Sequence, residues 1–473
     1  QPGLNAHSNR KLGQTPTAQQ CFSEFLGDEF FEMLCVETND YAAKHLSNPV
    51  RPKKSYERNW KPVNLSEMKA YIALYMLMGQ VKKGAIQEYW SKRKIIETTI
   101  FSEVMSFIRF NQISRFLHFA DSDYTEHGDK LKKLRPVISY LENKFQRTLS
   151  MEKNLSIDES LVKLRARLSY IQFNPKKRAR FGVKIYKICE SPSGYCAGFK
   201  IYVGEDKTPD LPASSAVVLH LAEPFLNLGH VIYIDNWYTS PDLCKTLLQN
   251  KTHVVGTANQ IRKNMPEDFV GTAYQLERGD AVRRSTDGIL AVQWKDRKVV
   301  QVLSTIHKGI DMSVAKEKTI RGETVEVIKP QCVIDYNNGM LGVDVQDQRL
   351  ASFPIMRRTI KAYKKIFFYL IDLTVFNSFC VWRKVNQKNM RYRLYRHDLI
   401  EQILQQVTLT TRTSPGRPSV DNPLRLQAKQ WAHFPMQIPP TEKKQFPSRN
   451  CKVCYKHKKR SEVRWMCKKC GVA

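Results

Sequence analysis

The feature that most constrains this chain is a short run, Val231 to Asn236 (VIYIDN), in which four apolar or aromatic residues carry one aspartate, Asp235, to the end of the run. Bounded by Gly229 before and by Thr239, Ser240 and Pro241 after, it reads as a fully buried strand whose last residue emerges at the sheet edge. An aspartate there can reach solvent or a metal. A second run, Asn154 to Glu159 (NLSIDE), ends the same way on Asp158, and Gly342 to Gln348 (GVDVQDQ) opens a helical pattern that carries Asp344 and Asp347. Three separated segments can therefore converge their carboxylates. Hard divalent cations such as Mg²⁺ take carboxylate oxygens, water and phosphate, so two strand-end aspartates and one helix-borne acid suit two-metal phosphoryl chemistry. The competing reading of each isolated aspartate is a turn former or a helix N-cap.

Along the chain, about Cys21 to Gln146 reads as helical: Phe22, Phe25, Leu26, Phe30 and Leu34 recur at helical spacing, as do Met68, Ile72, Tyr75 and Met76, and such stripes are core. Between Phe101 and Phe119, Arg109, Arg115 and His118 alternate with aromatics; this mixture faces DNA or is an ordinary snorkelling helix surface. From Leu155 the pattern changes to strands at Leu155–Asp158, Gly182–Cys189 and Tyr195–Val203, a helix near Ser214–Leu228, the strand to Asp235, a helix at Pro241–Gln249 and a strand at His253–Thr257. That order predicts an α/β fold with a mixed sheet. Ile289–Trp294 and Lys298–Ser304 alternate as strands, Ile366–Val385 forms a long apolar helix with polar ends, and Leu394–Leu409 an amphipathic one.

The chain has 473 residues and a formal charge of +31, from 76 Lys+Arg against 45 Asp+Glu. Such an excess points to a polyanion, nucleic acid before membrane. No run approaches the roughly eighteen uninterrupted apolar residues of a membrane span, and no membrane partner is expected. The start at Gln1 lacks both Met and an apolar signal segment, so a soluble fragment of a longer product is expected. Seven cysteines are scattered in apolar contexts and four sit in pairs at the C-terminus, a pattern of a reducing compartment with a metal site rather than a disulfide framework.

Taken in order, Ser156 to Ser160 (SIDES), Lys177 to Lys184 (KRARFGVK), Cys189 to Tyr195 (CESPSGY), Ile234 to Asn236, Gly256-Thr257 and Gly342 to Gln348 resemble the motif series of piggyBac-type DNA transposases. The resemblance covers roughly Phe22 to Cys470. It implies an RNase H-like catalytic core, with Asp158, Asp235 and Asp344 holding two Mg²⁺ and Asp347 assisting. It further implies a homodimer that binds double-stranded DNA at transposon terminal inverted repeats, cleaves it through hairpin intermediates and inserts at TTAA, in the nucleus. The alternative on the same scaffold is a domesticated DNA-binding protein without catalysis. The expected organisation is a helical dimerisation and DNA-binding region at 1–150, the first part of the catalytic core at 151–260, a β-rich insertion at 261–335, the catalytic helix and a C-terminal helical part at 336–410, a linker at 411–448, rich in Pro, Ser, Thr, Arg and Gln, and a Cys-rich tail at 449–473.

Three further motifs carry expectations. Lys176, Lys177, Arg178 and Arg180 lie between two core strands and read as a phosphate contact, a nuclear-localisation run or a solvated loop. Gly256 to Pro266 resembles a family loop that binds DNA beside the active site, through Arg262 and Lys263 here, because Asn259 and Ile261 stand where the family usually carries Arg and Asn. The tail pairs Cys451 with Cys454 and Cys467 with Cys470, a spacing that gives tetrahedral thiolate ligands for Zn²⁺. His457 is a further ligand or a surface base. Family members continue past the second pair as a cross-brace, so the site is either truncated or a simpler set of four thiolates.

Overall fold

Helices open the chain because its apolar residues recur at helical spacing and its helix starts carry side-chain caps. The computed structural model describes residues 2–47, 56–121, 128–175, 180–204, 211–269, 276–320, 323–357, 361–407 and 435–473. Five of the N-terminal helices concern us: α1 (Ala18–Phe25), α2 (Asp28–Leu46), α3 (Leu65–Gln80), α4 (Phe107–Phe116) and α5 (Arg135–Thr148). Thr17 and Gln20 form a reciprocal capping box at α1, while Asn64 and Ser106 accept the backbone N–H groups of Glu67 and Arg109 at 2.9 and 3.0 Å. Both predicted stripes are buried. The basic residues among the aromatics each have a partner within the protein, Arg115 at the surface. Arg109 grips Glu67 through two bonds at 2.7 and 2.8 Å and lies 4.8 Å over Trp60, Arg115 reaches Glu57 at 3.0 Å, and the buried His118 stacks on Tyr41 at 4.2 Å. Burial, helped by the surrounding lysines, pushes His118 down to about 4 and keeps it neutral.

The middle of the chain is built on one mixed, nine-stranded sheet. Its strands are β1 (Asn154–Lys163), β2 (Gln172–Phe173), β3 (Phe181–Glu190), β4 (Cys196–Ile201), β5 (Val231–Ile234), β6 (His253–Thr257), β7 (Ala281–Thr286), β8 (Ile289–Lys295) and β9 (Val299–Ser304). The order across the sheet is β2-β3-β1-β5-β6-β9-β8-β7, with β4 also paired to β3. The pairs β1·β5 and β5·β6 are parallel and the others antiparallel. One local expectation is corrected. β1 does not stop at Asp158 but runs on to Lys163, because its outer half is paired with β3 as far as Lys163↔Gly182. The segment 261–335, expected as a β-rich insertion, contains β7, β8 and β9, of which β9 pairs with β6 through Val302↔Thr257 and so extends the same sheet. The hairpin β10 (Met312–Ile320) with β11 (Glu323–Pro330) makes a separate two-stranded sheet.

Helices α6 (Ala213–Ala222) and α7 (Pro241–Gln249) sit between strands, and α8 (Gln331–Gly339) leads into α9 (Leu341–Ser352). Next come α10 (Ala362–Asn386) and α11 (Tyr392–Gln406), which pack against α1 and α3, so the N- and C-terminal helices share one hydrophobic core with the sheet. By length and composition α10 is apolar enough to cross a membrane, yet 94% of its most apolar stretch is buried inside the protein, as the central helix of a core would be.

The chain divides into two compact units, Gln1–Leu409 and Thr410–Ala473. Of the expected linker, 411–448, residues 411–434 fall outside the described residues. The rest of it belongs to the second unit, where Pro435–Gln437 pairs with Trp465–Cys467 and Arg449–Asn450 with Glu462–Val463.

Candidate active site

Parallel pairing of β1 with β5 runs from Asn154↔Val231 to Ile157↔Ile234, so Asp158 and Asp235 stand side by side one residue beyond the last pair. Side chains alternate across a strand, which puts Ser156, Asp158 and Ser160 on one face with their cross-strand partners Cys189, Lys187 and Ile185. Helices α8 and α9 lie on this face. They come unusually close because two of their residues are glycines: a Cβ on Gly339 would meet the Tyr233 ring at 2.4 Å, and one on Gly342 would meet Ser156 Oγ at 2.5 Å. With the helix seated there, Asp344 in the first turn of α9 lies near enough for its charge to act on Asp158.

The electrostatics register this convergence. Burial pushes the Asp158 carboxyl up, the Glu159 N–H at 2.7 Å opposes it, and the charges of Glu159, Asp235 and Asp344 push further, leaving it at about 7. Burial likewise raises Asp235, reinforced by Glu159 and opposed by the Trp237 and Tyr238 N–H groups and by Lys184. Asp235 also forms the turn that follows it. Its Oδ1 accepts the Trp237 N–H at 2.9 Å and its carbonyl accepts from Tyr238, Thr239 N–H and Thr239 Oγ1. The turn-former reading of Asp235 therefore holds, and it is compatible with the site reading. Among the described residues no group of three His, Cys, Asp or Glu side chains stands close enough to hold a metal ion.

Several neighbours escape a reading of the sequence alone. Glu159, on the opposite face from Asp158, accepts from Tyr238 Oη at 3.4 Å and contributes charge to both aspartates. Trp237 stacks on Tyr186 at 6.0 Å, with Lys184 Nζ 4.8 Å from each ring. Tyr336 of α8 accepts from Thr257 Oγ1 at 3.3 Å; burial first, then Asp235, Asp158 and Asp344, raises its hydroxyl. The adjacency of Glu159 to Asp158 was the one local signal for any of these.

Asp347, one turn on from Asp344, is tied down. Its Oδ1 accepts from Lys187 Nζ and from Ser160 Oγ, both at 2.8 Å. Of the basic residues expected at DNA, Lys176, Lys177 and Arg178 lie outside the described residues, while Arg180 is exposed beside a groove shared with Lys163, Arg165 and Phe181. Arg262 donates to the carbonyls of Asn236 (3.2 Å) and Trp237, and so braces the Asp235 turn; Lys263 is exposed.

In the tail, Cys451 and Cys454 flank the first turn of a short helix, Lys452–Lys456, and Cys467 carries a tight turn closed by Gly471 N–H to its carbonyl at 2.9 Å. The backbone N–H and thiol of Cys454, then the Val453 N–H, hold the Cys451 thiol below its ordinary value. Amides aimed at a sulfur favour a thiolate, the form a metal takes. No residue of 449–473 is fully buried, so this segment has no apolar core. His457 is exposed, at the C-terminal end of that helix.

The chain is similar to known proteins in sequence and in fold. The family described as Transposase IS4 matches residues 17–379. The human PiggyBac transposable element-derived protein 3 is 26% identical over 406 residues, 82% of this chain and 64% of that protein. Human PiggyBac transposable element-derived protein 2 is 24% identical over 379 residues, 76% of this chain and 61% of its own length. The chain thus spans somewhat under two thirds of either relative. In fold it matches a piggyBac transposase, solved by cryo-electron microscopy as a synaptic complex with hairpin DNA, at a TM-score of 0.76 and 21% identity over 100% of this chain and 97% of that one.

Proposed function

The chain belongs to the Transposase IS4 family and is of the piggyBac type, and from that premise we propose that it is a cut-and-paste DNA transposase with an RNase H-like core. The observation that carries the reading is the side-by-side pair Asp158 and Asp235 on parallel strands, with Asp344 delivered onto their face by a helix seated through Gly339 and Gly342. The donor set is all carboxylate oxygen, which fits a hard divalent cation. Two Mg²⁺ held by Asp158, Asp235 and Asp344 would supply activation of the attacking oxygen and stabilisation of the leaving oxygen in phosphoryl transfer. The chain's own residues do the rest. Asp158 and Asp235 are presented in register by the two strands, the Trp237 N–H fixes the rotamer of Asp235, and Arg262 holds the turn from below.

The excess of +31 supports DNA as the partner, as does the similar transposase's having been solved with hairpin DNA. The reading extends to a homodimer that holds two terminal inverted repeats, to TTAA targets, to phosphate contacts by Arg180, Lys263 and the Lys176–Arg178 run, and to a nuclear location. The tail reads as a zinc-dependent DNA-binding domain held by Cys451, Cys454, Cys467 and Cys470, for which the amides aimed at Cys451 and the lack of an apolar core speak. The names of the relatives, derived from transposable elements, favour one second reading, a DNA-binding protein without catalysis. The test is incubation with matched transposon ends and Mg²⁺. Strand cleavage lost in Asp158→Asn, Asp235→Asn and Asp344→Asn, with end binding retained, supports the transposase. End binding without cleavage in the wild-type chain supports the second reading, and near-normal cleavage by any of the three variants removes that residue from the site.

A further inference from the structure

A buried lysine lies on the strand beside Asp158, and its charge is spent on Asp347 rather than on the carboxylates proposed for the metal. Lys187 lies on β3 directly across from Asp158, and its side chain is fully buried. Its Nζ donates to Asp347 Oδ1 and to Gln346 Oε1, both at 2.8 Å, and lies 5.3 Å over the Tyr369 ring of α10. Asp347 Oδ1 accepts in turn from Ser160 Oγ of β1, and Gln346 Nε2 donates at 3.0 Å to the Gly194 carbonyl in the turn between β3 and β4. Three polar contacts to the two strands beneath it and one to the turn between β3 and β4 thus fasten one turn of α9, and that turn directly follows Asp344.

We infer that Lys187 is a positioning residue for the reaction proposed above: its buried ammonium clamps α9 onto β1 and β3 and thereby sets where Asp344 stands relative to Asp158. Two physical arguments carry this. A helix held only by apolar contact can slide or roll by a fraction of a turn, whereas one bonded at Gln346 and Asp347 has a fixed register against the strand that carries Asp158. The second argument is electrostatic. Asp158, Glu159, Asp235 and Asp344 already act on one another, and Asp347 would add a fifth negative charge nearby; paired with Lys187 it adds none. Lys187 therefore keeps Asp347 engaged with the scaffold and leaves the other carboxylates to the metal. This inference rests on the metal-dependent reading of the site, and the experiment separates the two.

Mn²⁺ uptake by the intact chain, followed by electron paramagnetic resonance without DNA, is compared in the wild type, Lys187→Met and Gln346→Met, alongside thermal melting, end binding and the Mg²⁺ dependence of cleavage. Groups that orient a metal ligand from outside its coordination shell, as Lys187 would orient Asp344 through α9, cost roughly 10- to 100-fold in metal affinity when lost. Lys187→Met is expected to lose that much Mn²⁺ affinity and to need correspondingly more Mg²⁺ for cleavage, with end affinity unchanged. Gln346→Met keeps the ion pair and cuts the other half of the clamp, so it should shift metal affinity the same way by less. A merely structural role would lower the melting temperature and leave the metal affinity of the folded protein where it was. Folded Lys187→Met that binds Mn²⁺ as tightly as the wild type overturns the inference; if that variant does not fold, unchanged affinity in Gln346→Met overturns it instead. Wild-type protein that takes up no Mn²⁺ removes the metal reading and this inference together.

Discussion

Replacing Asp158 by Asn should stabilise the metal-free protein above neutral pH while abolishing strand cleavage. Burial, then the charges of Glu159, Asp235 and Asp344, hold the Asp158 carboxyl at about 7, against an ordinary aspartate value near 3.9, and a gap of that size corresponds to at most about 4 kcal/mol. Asparagine has the same shape, and its Oδ1 can keep the Glu159 N–H bond now made at 2.7 Å. It leaves an amide partly buried, which costs about 1–2 kcal/mol, so a net gain of about 1–3 kcal/mol is expected at pH 8. The sign follows from linkage. A carboxyl whose folded value is raised contributes fully below its unfolded value, near 4, and that contribution drains away as the pH climbs to about 7. Asparagine does not titrate, so its advantage grows over that window, is flat above it, and at pH 5 is less than half its value at pH 8. Urea unfolding in the presence of a chelator, at pH 5 and pH 8, measures both points. Added Mg²⁺ should reverse the order, since an ion that binds only the folded wild type stabilises it by mass action. An Asn variant less stable than wild type at pH 8 without metal, or one whose gain is the same at pH 5, would refute the reasoning.

Affinity for DNA should fall steeply with salt because each neutralised phosphate releases counterions, by on the order of 10³-fold between 50 and 200 mM salt for about six contacts; a flat titration would leave the +31 excess without its proposed partner. Purified protein should carry one tightly bound zinc per chain if Cys451, Cys454, Cys467 and Cys470 form a closed site, and Cys467→Ser or a chelator should then unfold the tail and weaken end binding while the core still cleaves ends supplied at high concentration. Elemental analysis that finds a zinc-free tail with full end affinity would end that reading. Asp235→Asn should lose cleavage yet melt close to wild type, because an amide oxygen can still accept the Trp237 N–H, whereas Asp235→Ala should lose cleavage and stability together; equal melting of the two variants would take the turn-forming role away from Asp235.

What the sequence made legible is what local patterning encodes. β5 and its terminal Asp235 could be read because four consecutive buried residues and the turn after them are all contiguous, and the boundaries of α7 and β6 were read to the residue. The true length of β1 could not be. Its outer half alternates Ser160 and Val162 with more exposed neighbours, and Ser160 is buried only because α9, from a segment 187 residues away, lies on it. For the same reason Lys187 was visible as a lysine in an apolar strand but not as a clamp, since its acceptor stands 160 residues downstream. Strand β9 patterned correctly as a strand, and nothing in its alternation says that it joins β6 rather than closing a separate unit, because Val302↔Thr257 is a pairing between distant segments.

Asp235 shows why weighing one residue's readings against each other misleads when the chemistry allows both. A turn former and a metal ligand draw on different oxygens: the Trp237 N–H occupies Oδ1, and nothing described occupies the second carboxylate oxygen in that way. The turn bond then does for Asp235 what the Glu159 N–H does for Asp158, spending one lone pair on the backbone to fix the rotamer. Both bonds favour the ionised form against burial. The two strand-borne aspartates are thus oriented by their own following residues, which is local and came with the motifs. Among the described residues Asp344 has no such bond, and its place depends on the seating of its helix, through Gly339, Gly342 and the Lys187 clamp. Tuning of this site by sequence change should therefore act through α9 and its supports more readily than through the two strands.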